Sequence, residues 1–155
     1  MASLPQSVAD FLAGKRIIVA GVSRSGSAPA NAICRRLRES GHEVIPVNPN
    51  ASQVEGQQCY PDVRSVPGSV HGVMVVTHPS ISAGVAREAI ERGVKHIWFH
   101  RSFGSGSVAP EALQECRARG VEPIAGGCPL MYCQPLDLGH RFFRWWLRLQ
   151  RRVPG

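Results

Sequence analysis

Short apolar runs rich in β-branched residues alternate along this chain with segments of helical periodicity. The strongest runs are residues 16–20, 43–47, 72–76 and 96–99, and the helical patterns are residues 29–40, 80–92 and 110–119. Such alternation is typical of parallel strands joined by crossover helices. We therefore predict an α/β fold of the Rossmann-like, doubly wound kind, with a mostly parallel sheet and helices on both faces.

Two further segments follow the same pattern less strongly. Residues 121–125 come after a helical segment that ends at Gly120, and they predict a last strand. Residues 62–66 form a run that is too short to assign. The pattern therefore predicts five strands with one region left open.

Three loops follow successive strong strands, at residues 21–28, 48–50 and 77–79. In an open doubly wound sheet, the ligand crevice lies at the carboxyl ends of the strands that flank the switch point. We therefore expect these three loops to converge on one crevice.

The first loop, residues 21–28, stands between a strand and a helix and is rich in glycine and serine. Gly21 permits a tight turn, Ser23 and Ser25 offer hydroxyl donors, and Arg24 offers a charge-assisted hydrogen bond. Backbone N–H groups and the helix dipole favour an anion at this place. The alternative is a plain strand-to-helix turn without a ligand, since glycine and serine are ordinary turn residues. We favour phosphate binding.

The spacing of this loop argues against two common nucleotide sites. A dinucleotide site has G-x-G-x-x-G and an acid after the second strand, but here Gly21 and Gly26 are five positions apart and the second strand is followed by Asn48, Pro49 and Asn50. A P-loop has Lys-Ser/Thr after its second glycine, where this chain has Ser27 and Ala28. The predicted occupant is thus another phosphate-bearing ligand, or NAD(P) in a site that lacks the usual motif.

Several motifs together resemble one protein family. They are Gly21-Val22-Ser23, Val47-Asn48-Pro49, Gly56 followed by residues 59–63, and residues 127–131. The chain resembles, over about residues 8–131, small stand-alone CoA-binding proteins and the amino-terminal CoA-binding domain of succinyl-CoA synthetase alpha subunits and ADP-forming acyl-CoA synthetases.

The resemblance implies coenzyme A or an acyl-CoA as the ligand. The first loop is then the phosphate-contacting segment, Asn48 and Pro49 shape the adenine and ribose side, and residues 77–79 form the opposing wall. The cofactor-binding residues that we expect are Gly21, Val22, Ser23, Arg24, Ser25, Asn48, Pro49, Thr77, His78, Pro79 and His100. The chain departs from the family at residues 77–79, where an aromatic-basic pair is common, and after Cys128, where Ile-Lys is common.

Three residues at strand ends could carry chemistry, namely His78, His100 and Cys128. A nucleophilic or metal site is one interpretation, and it requires a histidine within hydrogen-bond reach of the thiol. The interpretation that we favour is that the imidazoles hydrogen-bond backbone or ligand and that Cys128 packs under its loop. The phosphohistidine of the resembling synthetases lies in a separate domain that a chain of 155 residues cannot contain. We therefore predict no catalytic residues and no metal.

The predicted function is thus binding of coenzyme A or acyl-CoA without chemistry of its own. The alternative from the enzyme class is an NAD(P)-binding oxidoreductase-like protein in which Arg24 receives a 2′-phosphate. A third alternative is a degenerate domain that acts only through its basic carboxyl-terminal segment.

That segment defines a second predicted unit, residues 138–155, after a ligand-binding domain of residues 1–137. Aromatic and leucine side chains share one face at helical spacing, while arginines lie elsewhere. The shared face contains Phe142, Trp145, Trp146 and Leu149. We expect the helix to dock on the domain; a homodimer contact and peripheral contact with an anionic membrane are the alternatives.

The net charge of +7 arises mostly from this segment. Five of the 18 basic residues lie in the last fifteen positions, which leaves 13 basic against 11 acidic residues, or +2, in the remainder. We therefore expect no nucleic-acid partner for the domain.

The cysteines and the amino terminus bear on the compartment. Five cysteines are an odd number and include no C-x-x-C pair, which fits neither a disulfide framework nor a zinc clip. Residues 1–13 have no basic start and no unbroken apolar run, so no secretory signal is predicted. These features favour a cytoplasmic location.

Overall fold

Five parallel strands form one sheet in the computed structural model, which describes residues 4–102 and 104–133 together with Trp146 and Gln150. In chain order the strands are β1 (Arg16–Ala20), β2 (Glu43–Val47), β5 (Gly72–Val75), β6 (His96–Phe99) and β7 (Ile124–Ala125), and they stand in the sheet order β2-β1-β5-β6-β7. The strands β3 (Gln53–Val54) and β4 (Gln57–Gln58) form a separate antiparallel hairpin.

The helices are α1 (Gln6–Ala13), α2 (Pro29–Glu39), α3 (Pro79–Glu91) and α4 (Pro110–Ala118), and a 3-10 helix spans Pro129–Met131. The last three α-helices each begin at a proline, a residue suited to the first turn because its missing N–H has no helical partner there. No helix in the described part of the chain is long and apolar enough to cross a membrane.

Both faces of the sheet are covered. In β1, Ile17 and Val19 are buried on the face with α1 and α2, and Ile18 and Ala20 on the face with α3 and α4. All four side chains are at most 1% exposed. This explains why the strands read as continuous apolar runs rather than as alternating ones.

The predicted α/β, doubly wound, mostly parallel fold is confirmed. Most predicted elements end within one or two residues of the observed ones. Residues 62–66, left open above, form turns, and the last strand begins at Ile124 rather than at residue 121. Pro123 stands immediately before Ile124 and has no N–H to donate to a sheet ladder.

Three elements were missed, namely α1, the β3–β4 hairpin and the 3-10 helix Pro129–Met131. Val8 and Phe11 of α1 are fully buried and lie three positions apart, which is a helical spacing that could have revealed the helix. The hairpin strands have only two residues each, too few for any periodicity.

The switch point of the sheet lies between β1 and β5. From β1 the chain first adds β2 on one side, then crosses over to β5 and continues to β6 and β7 on the other side. The connections therefore diverge between these two strands and leave a crevice at their carboxyl ends.

Candidate ligand-binding site

A cavity of about 650 Å³ opens at the carboxyl ends of β1, β2 and β5. Residues from all three loops that were expected to converge line it, and α3 supplies one wall. The lining consists of Ala20, Gly21, Val22, Val47, Asn48, Pro49, Asn50, Pro61, Asp62, Val63, Val76, Thr77, His78, Ile81, Gly84, Val85 and Glu88. A cavity therefore lies at the switch point, where the three loops meet.

The wall from α3 was not predicted from the sequence. Ile81, Val85 and Glu88 lie at positions i, i+4 and i+7, so they face the same side of the helix. Gly84 leaves a gap in this wall, because a Cβ built there meets no atom within 4 Å. The helical spacing was visible in the sequence, but the side of the helix that faces the crevice was not.

Gly21 sits where the backbone of two loops meets. Its φ is 105°, and a Cβ at this position would lie 2.4 Å from the carbonyl oxygen of Val76. No side chain fits at such a distance, so glycine allows the first loop to lie directly against the end of β5. Gly21 and Val76 both line the cavity.

Beyond Val22 the first loop carries a series of hydroxyls. Ser23 Oγ lies 2.8 Å from Ser25 Oγ, which lies 2.9 Å from Ser27 Oγ, and the Ser25 backbone N–H donates to Ser23 Oγ at 3.2 Å. Ser23, Arg24 and Ser25 do not line the cavity itself. They continue from its edge toward the start of α2, where the helix dipole favours an anion.

Two arginines near this loop differ in their partners. Arg24 is exposed and makes no ion pair with any of the residues that the structure describes. Arg35 pairs with Glu55 and also donates to the Gly26 carbonyl at 3.4 Å. Arg24 is therefore a cation that a ligand can recruit without breaking an internal pair.

Asn48 joins the first two loops. Its Nδ2 donates to the Val22 carbonyl at 2.7 Å, and its Oδ1 accepts from the Asn50 backbone N–H at 2.7 Å. These two bonds fix the orientation of the amide, and Asn48 lines the cavity together with Pro49.

The third loop caps α3. His78 Nδ1 accepts from the Ser80 backbone N–H at 3.2 Å and lies 2.8 Å from Ser80 Oγ. A neutral imidazole with an accepting Nδ1 carries its proton on Nε2, which is then the nitrogen available to a ligand. Thr77 Oγ1 lies 3.1 Å from Ser82 Oγ, and Pro79 is the first residue of α3.

His100 and Cys128 lie outside the lining of this cavity. His100 Nε2 is 3.2 Å from Ser102 Oγ, and the same Ser102 side chain slightly opposes the rise in the pKa of Cys128 that burial causes. Burial lowers the pKa of His100 to about 4 and raises the pKa of Cys128 to about 12. Near neutral pH both groups are uncharged. Within the described residues no group of three or more histidine, cysteine or acidic side chains could hold a metal ion.

One buried polar residue near the loop was also missed. Asn31 in the first turn of α2 is fully buried and hydrogen-bonds both backbone groups of Ser23. Nothing in the sequence marks it, because asparagine near a helix start is common.

Fold and cavity together define an α/β domain whose crevice lies at the switch point of a parallel sheet. The family model for the CoA binding domain matches residues 15–134, and the chain belongs to that family.

Several similar proteins are known. The uncharacterized protein YneT of Bacillus subtilis is 27% identical over 114 residues, which are 74% of this chain and 82% of YneT. A conserved hypothetical protein from Pyrococcus furiosus has a similar structure, with a TM-score of 0.64 and 34% identity over 74% of this chain and 94% of that one.

Larger enzymes contain a similar part. The ADP-forming acetate–CoA ligase II of Archaeoglobus fulgidus is 30% identical over 88 residues, 56% of this chain and 13% of the ligase. The structure of a dinucleotide-forming acetyl-coenzyme A synthetase from Ca. Korarchaeum cryptofilum matches with a TM-score of 0.62 and 26% identity, over 72% of this chain and 25% of that one.

Proposed function

We propose that this protein binds coenzyme A or an acyl-CoA, with the phosphates on the first loop and the adenosine end in the adjoining cavity. The observation that carries the proposal is the cavity of about 650 Å³ that is lined by Gly21 and Val22, where the hydroxyl-bearing loop begins. Its volume lies within the roughly 300–1,000 Å³ of small-molecule sites. Membership of the CoA binding domain family supports the same ligand.

The chemistry of the loop suits phosphate. Three serine hydroxyls follow one another from Ser23 to Ser27, and Arg24 stands exposed among them without an ion pair to any described residue. An anion here gains from the amino terminus of α2 and from a charge-assisted bond to the guanidinium. The negative charge of Glu55 does not cancel this attraction for an anion, because Glu55 is paired with Arg35.

The chemistry of the cavity suits a flat apolar ring with polar edges. Eight of the 17 lining residues are valine, isoleucine or proline, and Asn50, Asp62, Thr77, His78 and Glu88 supply polar groups. The purine of adenosine has this combination of a hydrophobic face and hydrogen-bonding edges. The pocket follows the general rule of apolar walls with a few placed polar groups.

The proposed role is binding without catalysis. A nucleophilic cysteine needs a lowered thiol pKa, whereas burial raises that of Cys128 to about 12. A general base needs a pKa near the working pH, whereas burial lowers that of His100 to about 4. These two shifts favour structural roles for both residues.

Isothermal titration with CoA, acetyl-CoA, NAD and NADP tests the proposal. We expect heat from at least one CoA species and none from NAD. Absence of binding by both CoA species, together with binding of NAD or NADP, overturns the proposal in favour of an oxidoreductase-like protein.

Charge reversal tests the loop. We expect Arg24→Glu to weaken CoA binding by tenfold or more, because an attractive charge near phosphate becomes a repulsive one. Lys95→Glu makes the same change of charge at an exposed residue before β6, on the opposite edge of the sheet, and serves as the control. Equal affinities of the two variants would contradict the placement of the phosphates.

Gly84→Leu tests the cavity separately from the loop. Its side chain enters open space beside Ile81 and Val85, so we expect CoA binding to fall while the melting temperature holds or rises. Gly84→Ala, which adds one methyl group, is the matched control and should bind nearly as well as the natural chain. Unchanged affinity of the leucine variant would place the adenosine elsewhere.

A further inference from the structure

The side chain of Asn31 holds the backbone of one residue of the first loop, Ser23, at two points. Its Oδ1 accepts from the Ser23 backbone N–H at 2.7 Å, and its Nδ2 donates to the Ser23 carbonyl at 2.9 Å. Asn31 is fully buried, and its own backbone N–H donates to the Ala28 carbonyl at 3.0 Å. The start of α2 is therefore bonded to both halves of the loop.

Only an amide meets this pattern at this distance. A donor and an acceptor must stand side by side to pair with the N–H and C=O of one residue, and asparagine supplies both. Aspartate keeps the acceptor but turns a second oxygen toward the Ser23 carbonyl. An apolar residue of similar size leaves both backbone groups of Ser23 without these partners, which is costly in a buried place.

The same helix supports the loop at a second point, one turn later. Arg35, four positions after Asn31, donates to the Gly26 carbonyl at 3.4 Å. Asn31 and Arg35 lie on one face of α2. Asn31 thus contacts the loop at Ser23 from a buried position, and Arg35 contacts it at Gly26 from an exposed one.

We propose that Asn31 is a positioning residue for ligand binding, which sets the backbone conformation of Ser23 and with it the serine hydroxyls of the phosphate loop before a ligand arrives. The inference rests on the proposed function of that loop. A loop that is already ordered loses less conformational freedom on binding. The two hydrogen bonds between Asn31 and Ser23, which we call the Asn31 clamp, therefore raise affinity for the phosphate-bearing part of the ligand.

Asn31→Asp tests the inference because it is nearly isosteric and replaces the Nδ2 donor by an oxygen, and the neutral Asn31→Leu, measured beside it, removes the same donor without adding a negative charge. We expect CoA to bind about tenfold or more weakly, whereas adenosine, which has no phosphate, binds with unchanged affinity in an NMR titration. A residue that merely stabilised the fold would affect both ligands equally or neither. Equal losses for CoA and adenosine, or no loss for CoA, overturn the inference.

Leu37→Ala is the matched control on the same helix. Leu37 is fully buried in the core away from the loop. Its truncation lowers the melting temperature, and measured where the variant is folded, CoA affinity should equal that of the natural chain. A similar loss of affinity in Leu37→Ala attributes the effect of Asn31 to stability and overturns the inference.

Hydrogen exchange of the natural chain gives a test that needs no variant. The clamp predicts slow exchange of the Ser23 amide, although the loop residues Arg24 and Ser25 beside it are exposed. Exchange of Ser23 as fast as that of a free amide overturns the inference.

The tests separate this inference from the proposed function. If the natural chain binds no CoA, the proposed function fails while slow exchange of Ser23 still reports the clamp. If the natural chain and Asn31→Asp bind CoA equally, the positioning role fails and the proposed function stands.

Discussion

At the scale of single residues, Gly21 shows how close backbone contact restricts a position to glycine. Two separate costs oppose any side chain there, a positive φ and an atom 2.4 Å from the Cβ position. Gly41 has a φ of 94° but open space around its Cβ position, so it carries the first cost alone. The pair allows the two costs to be measured separately.

We expect Gly41→Ala to lower the free energy of unfolding by about 1 kcal/mol, the usual cost of a positive φ. Gly21→Ala should cost about 3 kcal/mol, because the loop or β5 must also move to relieve the overlap. Urea denaturation measures both values. Equal losses would show that the contact with Val76 yields at no cost.

His100 makes stability depend on pH. Burial lowers its pKa from 6.5 in a free imidazole to about 4. Between these values the unfolded chain binds a proton that the folded chain does not, so the free energy of unfolding rises with pH across this window and is lost as the pH falls through it. The change that His100 makes in the free energy of unfolding across this window is at most about 3 kcal/mol.

The comparison of the natural chain with His100→Gln measures this contribution. We expect the variant, which cannot titrate there, to lose less stability between pH 6.5 and pH 4.5 in urea denaturation. Other titrating groups, such as Asp62 with its lowered pKa, act equally in both chains. Identical pH profiles would mean that His100 is protonated in the folded state without cost.

At the scale of elements, α1 stands outside the family match, which begins at residue 15, yet it is part of the core. Phe11 meets Trp98 of β6 edge-on, with ring centroids 5.3 Å apart. His71 Nε2 lies 2.8 Å from the Asp10 carbonyl, and His42 Nε2 lies 3.0 Å from the Leu12 carbonyl. The helix thus covers one face of the sheet beside α2.

We expect Phe11→Ala to lower the free energy of unfolding by about 3–5 kcal/mol, because it opens a cavity against Trp98. Leu4→Ala, at a side chain that is 41% exposed before the same helix, should change it by less than about 0.5 kcal/mol. Circular dichroism during urea denaturation measures both. A small effect of Phe11→Ala would mean that α1 can leave the sheet at little cost.

At the scale of the whole molecule, the proposed division falls between a ligand-binding domain of residues 1–137 and a basic segment of residues 138–155. The family match ends at residue 134. Apart from Trp146 and Gln150, the predicted amphipathic helix lies outside the residues that the structure describes. The docked, dimer-forming and membrane-contacting interpretations of this segment stay predictions.

Truncation after Asp137 tests the division. We expect the shortened chain to bind CoA within about twofold of the full chain, because the loop and cavity residues all precede the cut. With anionic liposomes we expect both chains to stay in the supernatant, as a docked helix hides its aromatic face. Sedimentation of the full chain alone would favour the membrane interpretation.

Much of the fold was available from local features. The strands β1, β2, β5 and β6 and the helices α2, α3 and α4 were predicted to within about two residues, because apolar period, proline and glycine positions are local properties. The weak elements were not, since α1 has eight residues and the hairpin strands two each.

The site was predicted only in part. Loop residues such as Gly21, Asn48 and His78 could be named, because parallel strands end at one edge of a sheet. The α3 wall, the buried clamp of Asn31 and the separation of His100 from the cavity could not. They depend on helix orientation and side-chain packing, which bring together residues that sequence spacing does not relate.

The sequence by itself determined the doubly wound order of elements and the position of a loop suited to an anion, because both follow from short-range patterns. The tertiary structure alone decided how that loop is held and what adjoins it. Ser23 is fixed by Asn31 eight positions away, and Val22 by Asn48 twenty-six positions away. Such contacts depend on the folded arrangement of the sheet and of the helices packed on it, which brings the paired groups within hydrogen-bond distance.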